Sequence, residues 1–375
     1  LERQGGGSNH IAFVVRNDAS NSDLVVQMPD ATWQAYNGYG GNSLYDGGTS
    51  YPSGHAVKVS YNRPFFPYNT MFNSEGKEAD WYMNAVYPMI RWLERNGYNA
   101  TYIASNDVAT KPALLLNHKV YVAVGHDEYW SKEQRANVEA ALAAGVHLAF
   151  FTGNEVYWKT RWENLTDGEH RTLVCYKEGL LGDGSIGERT CGGKCDTTTN
   201  EWTGLWRTGA DYDAGRPENA LVGQISWTET DGALQVPSKY KNLRFWRNTS
   251  VAGLADGQTA TLAPATLGYE WDYEQYAEHY PAARITMSST TINNLTHKLS
   301  LYRHSSGALV FGAGTVQWSW GLDGEHHGGP HEVSQAMQQA TVNLFADMGV
   351  QPATLQADLV QATMSSDLSS PASVI

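Results

Sequence analysis

Basic residues are scarce in this sequence, and charged residues of any kind make up only 17% of it. The 26 Lys and Arg residues are outnumbered by 39 Asp and Glu residues, which gives a net charge of −13. Proteins that bind nucleic acids neutralise phosphates with clustered Lys and Arg, and no such cluster occurs here. The sequence therefore predicts no nucleic-acid partner.

Long apolar runs are absent as well. No stretch approaches the roughly 20 apolar residues that a helix needs to cross a bilayer, so we predict no membrane span. The first residues also lack the basic segment and apolar core of a signal peptide. Polarity comes mostly from hydroxyl, amide and glycine residues, a composition typical of exported proteins. We therefore expect a secreted, extracellular protein whose signal would lie upstream of Leu1.

Cysteine is rare, with three residues in the whole chain: Cys175, Cys191 and Cys195. The last two belong to a Cys-Gly-Gly-Lys-Cys sequence in a segment rich in glycine and threonine. We predict a disulfide within this trio that leaves one thiol free. A zinc site is the alternative. The spacing of the close pair suits zinc, but a structural zinc site needs four ligands and no fourth ligand is evident.

The most regular part of the sequence is Lys119–Thr152. Two apolar runs, Val120–Val124 and His147–Phe151, flank a segment that begins with a capping box at Ser131 and is rich in alanine. This pattern predicts strand, helix and strand. Because both strands are apolar throughout, they are typical of a parallel sheet that is covered on both faces. The other predicted elements are a loop over residues 33–48, a helix within 80–96, a strand at 100–104, a hairpin from 299–303 and 308–313, and a final helix at 334–348.

We interpret the fold class as α/β, with a parallel-sheet core and a β-rich inserted subdomain. The 41% of apolar residues is enough for a large core. The predicted division is an α/β core with the candidate metal site at 1–158, a β-rich insertion at 159–298, a return to the core at 299–350, and a linker at 351–375. The serine-rich end of the chain is typical of a linker, so we expect further modules of the same polypeptide beyond it.

Polar side chains follow both strands of the regular unit. Gly125–Trp130 and Gly153–Trp158 are near-duplicates that occupy the carboxyl ends of the two strands, where ligands gather in parallel sheets. Carboxylate and imidazole groups there could bind a metal or act as acid and base; alternatively, they cap helices and hold loops. The residues that this edge collects are His126, Asp127, Glu128, Asn154 and Glu155.

Other hydrolytic sites are less well supported. The sequence has no Gly-x-Ser-x-Gly motif of the serine hydrolases. None of the cysteines follows an apolar run into a helix, which argues against a cysteine nucleophile. Three histidines in Glu325–His331 could chelate a metal, or they could belong to an ordinary polar loop.

Five motifs follow one another along most of the chain. They are Thr32–Tyr45 (TWQAYNGYGGNSLY), Gly125–Ser131 (GHDEYWS), Gly153–Trp158 (GNEVYW), Leu267–Asp272 (LGYEWD) and Gly314–Asp323 (GTVQWSWGLD). In this order they resemble the N,N-dimethylformamidase large (beta) subunit family, and because they cover most of the chain the resemblance is specific at the level of the fold. It implies an α/β fold with a flavodoxin-like parallel-sheet core, similar to class I glutamine amidotransferases, with an added β-rich portion.

The resemblance also implies a metal site. Members of the family bind one iron through two tyrosines and a glutamate. Glu128 matches the glutamate, and Tyr36 matches one tyrosine, with Tyr39 as the fallback. The other tyrosine, the third protein ligand, is expected upstream of Leu1. His126 and Asn154 match the neighbouring histidine and asparagine that assist water attack and substrate binding.

Two functions follow as hypotheses. The first is an iron-dependent hydrolase of an amide or related C–N bond, with a mononuclear site for Fe(III), which hard phenolate and carboxylate donors suit. The second is a non-catalytic extracellular structural or glycan-binding module that kept the fold. The expected partner is a small-molecule amide or an extracellular polymer. Assembly into a homo-oligomer is a further alternative.

Overall fold

A computed structural model describes residues 12–45, 47, 54–65, 82–166, 168–179, 194–198, 201–207, 215–327 and 329–366. The helices and strands below are those of this part of the chain. The strands are β1 (Leu24–Met28), β2 (Lys58–Ser60), β3 (Ala100–Ala104), β4 (Val120–His126), β5 (Tyr129–Ser131), β6 (His147–Gly153), β7 (Trp158–Leu165), β8 (Gly168–Val174), β9 (Gly204–Leu205), β10 (Thr228–Glu229), β11 (Gln235–Pro237), β12 (Thr259–Thr261), β13 (Glu270–Trp271), β14 (Ile285–Thr286), β15 (Thr290–Ile292), β16 (Leu295–His297), β17 (Ser300–Arg303) and β18 (Leu309–Gly312). The α-helices are α1 (Asp30–Tyr36), α2 (Val86–Arg95), α3 (Ser105–Thr110), α4 (Ala113–Leu116), α5 (Lys132–Ala143), α6 (Asn219–Val222) and α7 (Gln335–Asp347).

A seven-stranded sheet forms the centre of the fold, in the order β14-β17-β18-β6-β4-β1-β3. The strands from β18 to β3 pair in parallel, and β17 and β14 extend the sheet in antiparallel fashion. Alternate residues of β4 enter two separate apolar cores, with Val122 on one side and Tyr121 on the other. The sheet is therefore covered on both faces, which confirms the predicted parallel sheet and explains why its strands are apolar at every position.

A second sheet combines residues from distant parts of the chain. Its order is β2-β8-β7-β5, and β9 pairs with β7. Strand β5 pairs in parallel with β7, whereas β2 and β8 pair in antiparallel fashion. Three two-stranded sheets (β10 with β13, β11 with β12, β15 with β16) complete the β-rich part. The fold class is thus an α/β core with a β-rich portion, as predicted, and β2 and β5 connect the two parts.

The local predictions around the first sheet are confirmed with one exception. Ser131 caps α5 by accepting a hydrogen bond from the Gln134 N–H at 3.1 Å, and β17 and β18 form the predicted hairpin. Residues 33–48 were expected to form a loop, but α1 extends to Tyr36. This helix has only seven residues, too few to show a periodic pattern, and it is stabilised by burial of side chains such as Ala35.

Two further features concern the sequence predictions. Cys175 is a buried free thiol and Cys195 is disulfide-bonded; Cys191 lies outside the described residues. Within the described residues, no helix is long and apolar enough to cross a membrane. Residues 351–366 contain no helix or strand, yet Leu359 and Ala362 in this segment are buried.

Candidate functional site

Three oxygen-bearing side chains meet where α1 and β4 end. The Tyr36 hydroxyl donates a hydrogen bond to Glu128 Oε2 at 3.0 Å. The Tyr45 hydroxyl lies 2.8 Å from Glu128 Oε1 and 2.9 Å from its Oε2. The two hydroxyls are 2.9 Å apart. Tyr36, Tyr45 and Glu128 therefore form a compact group of oxygen donors, which we call the tyrosine–glutamate cluster.

Local packing explains why these side chains converge. Thr32 Oγ1, on α1, accepts a hydrogen bond from the Glu128 N–H at 3.0 Å, which ties the turn after β4 to the helix. The Leu44 N–H donates to the Ala35 carbonyl at 2.9 Å and so draws the following residue towards the same helix. The rings of Tyr36 and Tyr45 stack with their centroids 4.2 Å apart.

Burial shapes the electrostatics of the cluster. Glu128 is only 3% exposed, and this burial raises the pKa of its carboxyl to about 7, although His126 and Lys177 act in the opposite direction. Burial and the nearby Glu128 also raise the pKa of the Tyr45 hydroxyl well above its usual value. Negative charge on these groups is therefore unfavourable unless a cation compensates for it.

His126 lies between two carboxylates. Its Nε2 is 3.1 Å from Glu270 Oε2 and 3.5 Å from Glu128 Oε2. Its Nδ1 is 2.8 Å from the hydroxyl of Tyr269. Both ring nitrogens are thus in contact with polar groups, an arrangement that suits a residue that moves protons.

Asn154 completes this side of the site. Its Nδ2 donates to Glu270 Oε2 at 2.9 Å, and its backbone N–H donates to Asp272 Oδ1 at 2.8 Å. Burial raises the pKa of Asp272 to about 8. Asn154 and Val156 both have positive φ angles, of 48° and 54°. Such angles are costly for residues other than glycine and often mark functional turns; here the turn directs Asn154 towards Glu270.

The structure places the other predicted residues elsewhere. Tyr39 is 48% exposed, so it is not a buried partner of Glu128. Asp127 and Glu155 are buried, and burial raises the pKa of Asp127 to about 7 and that of Glu155 well above its usual value. Neither carboxylate forms a hydrogen bond with the cluster among the described residues. Of the five residues predicted at this edge, His126, Glu128 and Asn154 therefore belong to the site, together with Tyr36.

The histidine-rich loop has a different geometry from a chelating site. His326 stacks on Trp320 at a centroid distance of 3.7 Å and on His331 at 4.6 Å. Stacked rings do not direct their nitrogens to one point. In the described part of the chain, no three or more His, Cys, Asp or Glu side chains are grouped to hold a metal. The tyrosine–glutamate cluster differs from such a group, because it combines two tyrosine hydroxyls with a single carboxylate.

Sequence reasoning missed three residues of the site: Tyr45, Tyr269 and Glu270. All three lie in motifs on which the resemblance rests, namely residues 32–45 and 267–272. No local pattern distinguishes them, because β13 has only two residues and Tyr45 follows no regular element. The signal available was their position within motifs that are dense in aromatic and acidic residues.

Comparison with known proteins identifies the family of the chain. No curated protein matches the chain. The family model described as "N,N-dimethylformamidase beta subunit-like, C-terminal" matches residues 1–332, which is most of the 375 residues and includes every residue of the site. The chain therefore belongs to the N,N-dimethylformamidase beta subunit-like, C-terminal family.

Proposed function

We propose that the protein is an iron-dependent amide hydrolase that acts on linear amides or a related C–N bond. The observation that carries the proposal is the tyrosine–glutamate cluster, whose hydroxyl and carboxylate oxygens lie 2.8 to 3.0 Å apart. Beside it, His126, Glu270 and Asn154 form a connected polar group. A structural module has no evident need for this combination of buried groups.

The residues of the cluster fit a ferric ion. Oxygens that bind one ion at about 2 Å lie about 3 Å from one another, as the oxygens of Tyr36, Tyr45 and Glu128 do. Phenolate and carboxylate are hard anionic donors that suit Fe(III). Burial makes negative charge on Tyr45 and Glu128 unfavourable, and a bound cation would compensate for this cost. We assign Tyr45 as the second tyrosine, in place of the tyrosine expected upstream of Leu1.

The chemistry follows from the arrangement around the cluster. When bound, ferric iron would polarise an amide carbonyl and make a water molecule more acidic. The proton released by the attacking water passes to the His126–Glu270 pair. The same pair returns it to the departing nitrogen, so that a C–O bond forms and the C–N bond breaks. Asn154 donates a hydrogen bond to the oxygen on which negative charge develops.

The test is elemental analysis and visible absorption of the purified protein. We expect near-stoichiometric iron and a tyrosinate-to-iron absorption band in the wild type, and loss of both in Glu128→Gln. Tyr45→Phe should lower the iron content and the intensity of the absorption band. Tyr39→Phe is the matched control, because that side chain is exposed, and it should retain iron. Wild-type protein that holds no iron after reconstitution would overturn the proposal and favour a non-catalytic structural or glycan-binding module.

We also propose that the protein is exported. Cys195 is disulfide-bonded, and disulfides persist mainly in oxidising compartments. Fractionation of cells that produce the protein tests this proposal. Recovery outside the cytoplasm, with the disulfide intact on a non-reducing gel, is the expected result. Recovery of reduced, active protein in the cytoplasm would contradict it.

A further inference from the structure

A lysine lies against one ligand of the tyrosine–glutamate cluster. Lys177 follows the end of β8 at Val174 by three residues, and its Nζ lies 2.9 Å from the centre of the Tyr45 ring. The same ammonium is 5.0 Å from the ring centre of Trp158 and 5.6 Å from that of Tyr129. An ammonium over aromatic rings at these distances is attracted by their π electrons.

The rings around Lys177 are held by the second sheet. Tyr129 in β5 and Trp158 in β7 are register partners of two parallel strands, and their rings stack at a centroid distance of 6.5 Å. Tyr45 meets the Tyr129 ring edge-on at 6.3 Å. The enclosure that receives the ammonium is therefore built on paired strands. The packing of these strands therefore determines where the Lys177 ammonium lies.

The charge of Lys177 acts on the cluster. It lowers the pKa of the Glu128 carboxyl, against the larger effect of burial. It also lowers the pKa of the buried Cys175 thiol in the same way, although burial still raises that pKa to about 12. The Tyr45 hydroxyl lies 2.8 Å from Glu128 Oε1. The same ammonium therefore interacts with the ring of Tyr45 and with the negative charge of Glu128.

We propose that Lys177 is a positioning residue of the cluster: its ammonium stabilises negative charge on the Tyr45 phenolate and thereby tunes how readily Tyr45 gives electron density to the metal. This inference rests on the proposed function, since it concerns the same site. The motif pattern does not single out Lys177. Its assignment comes from the contact with Tyr45.

The proposal has a spectroscopic consequence. The absorption of a tyrosinate–iron site arises when an electron moves from the phenolate ring to the ferric ion. A positive charge against the ring stabilises the ring electrons and makes that transfer cost more energy. Removal of the charge should therefore move the band to longer wavelength. Lys177→Met keeps the length and the apolar stem of the side chain, whereas Lys177→Arg keeps the charge.

The experiment compares iron content and the visible band in wild type, Lys177→Met, Lys177→Arg and the control Lys239→Met. Lys239 also lies over a tyrosine ring, that of Tyr240, at 4.9 Å, but it belongs to a different part of the fold. We expect a shift to longer wavelength in Lys177→Met at equal iron content, and bands close to wild type in Lys177→Arg and Lys239→Met. Loss of iron in Lys177→Met alone would also support a role for the charge.

Two results would overturn the inference while leaving the proposed function in place. One is an unchanged band in Lys177→Met at equal iron content. The other is loss of iron in both Lys177 variants, which would show that the side chain acts through packing. Wild-type protein without iron or a tyrosinate band would overturn the proposed function and this inference together. The wild-type measurement thus separates the two failures.

Discussion

The hydroxyl of Tyr269 lies 2.8 Å from Nδ1 of His126, although 143 positions separate the two residues in the chain. This contact fixes the orientation of the imidazole and leaves Nε2 facing Glu270 at 3.1 Å. A hydrogen bond to one ring nitrogen determines how the other is presented. The position of His126 therefore depends on a residue from the β-rich part of the fold.

Tyr269→Phe should reduce turnover without removing the metal. The substitution keeps the ring and deletes the hydroxyl that orients His126, while Tyr36, Tyr45 and Glu128 are untouched. We expect a fall of about 10- to 100-fold in kcat for a linear amide, the usual scale for residues that orient groups around a metal. Steady-state kinetics with elemental analysis checks this. A normal kcat at normal iron content would show that Tyr269 does not position His126.

Glu270→Gln should have a larger effect on the same reaction. The change preserves the shape of the side chain but removes the carboxylate that faces His126 and accepts from Asn154. Because proton transfer contributes about 10²- to 10⁴-fold to catalysis, we expect a loss of that order in kcat. Glu278→Gln serves as the control, since its side chain is 66% exposed. Equal kcat values for Glu270→Gln and Glu278→Gln would show that Glu270 takes no part in proton transfer.

Gly153→Ala should displace the backbone segment that carries Glu270 and so distort the site. A Cβ at this position would lie 2.7 Å from the Val316 nitrogen and 2.8 Å from the Glu270 carbonyl oxygen. Both are backbone atoms, so the segment that carries Glu270 has to move. We expect a loss of roughly 1–3 kcal/mol of stability together with reduced turnover, measured by chemical denaturation and kinetics.

The matched control for this change is Gly253→Ala, where an added Cβ would meet no atom within 4 Å. That variant should unfold at the wild-type denaturant concentration. If Gly153→Ala behaved in the same way, the close approach of β6 to the segment around Glu270 would be of no energetic importance.

Acid should destabilise the protein through His297. This ring is fully buried and its Nε2 donates to the Ala313 carbonyl at 2.8 Å; burial lowers its pKa to about 4. As the pH falls from about 6.5 towards 4, His297 becomes protonated in the unfolded chain but stays neutral in the folded protein. The free energy of unfolding therefore decreases. We expect His297 to account for a loss of about 2 kcal/mol between about pH 7 and pH 5.

Denaturation curves at several pH values test this prediction. His297→Gln removes the titrating group, so the difference in unfolding free energy between neutral and acidic solution should shrink. His279→Gln, at the exposed surface, should leave that difference unchanged. An identical pH dependence in wild type and His297→Gln would contradict the assignment.

The sequence predicted well what depends on local pattern. The apolar runs of β4 and β6 predicted the parallel pair. Their near-duplicate ends predicted that His126, Asp127, Glu128, Asn154 and Glu155 would lie at one edge, and three of these five residues, His126, Glu128 and Asn154, belong to the site. The capping box at Ser131 predicted the start of α5. These features succeed because strand burial, helix capping and parallel pairing each leave a signature within a few residues.

The rest of the site depends on contacts that are distant in sequence. Tyr45 reaches Glu128 through the packing of its loop on α1, and α1 itself is too short to show a period. Glu270 is placed by two backbone hydrogen bonds to residues beyond 310, from the Val316 N–H to its own carbonyl and from the Asp272 N–H to Gly314. A strand of two residues carries no alternation, so a single sequence could not predict this placement.

The order in which these residues are synthesised has a consequence for how the protein matures. All members of the tyrosine–glutamate cluster precede residue 129, whereas Tyr269 and Glu270 come more than a hundred positions later. On the ribosome, the residues of the cluster therefore emerge before the partners of His126 have been synthesised. The contacts that orient His126 can form only after the β-rich part has been synthesised, so the two sides of the site are completed at different stages of folding.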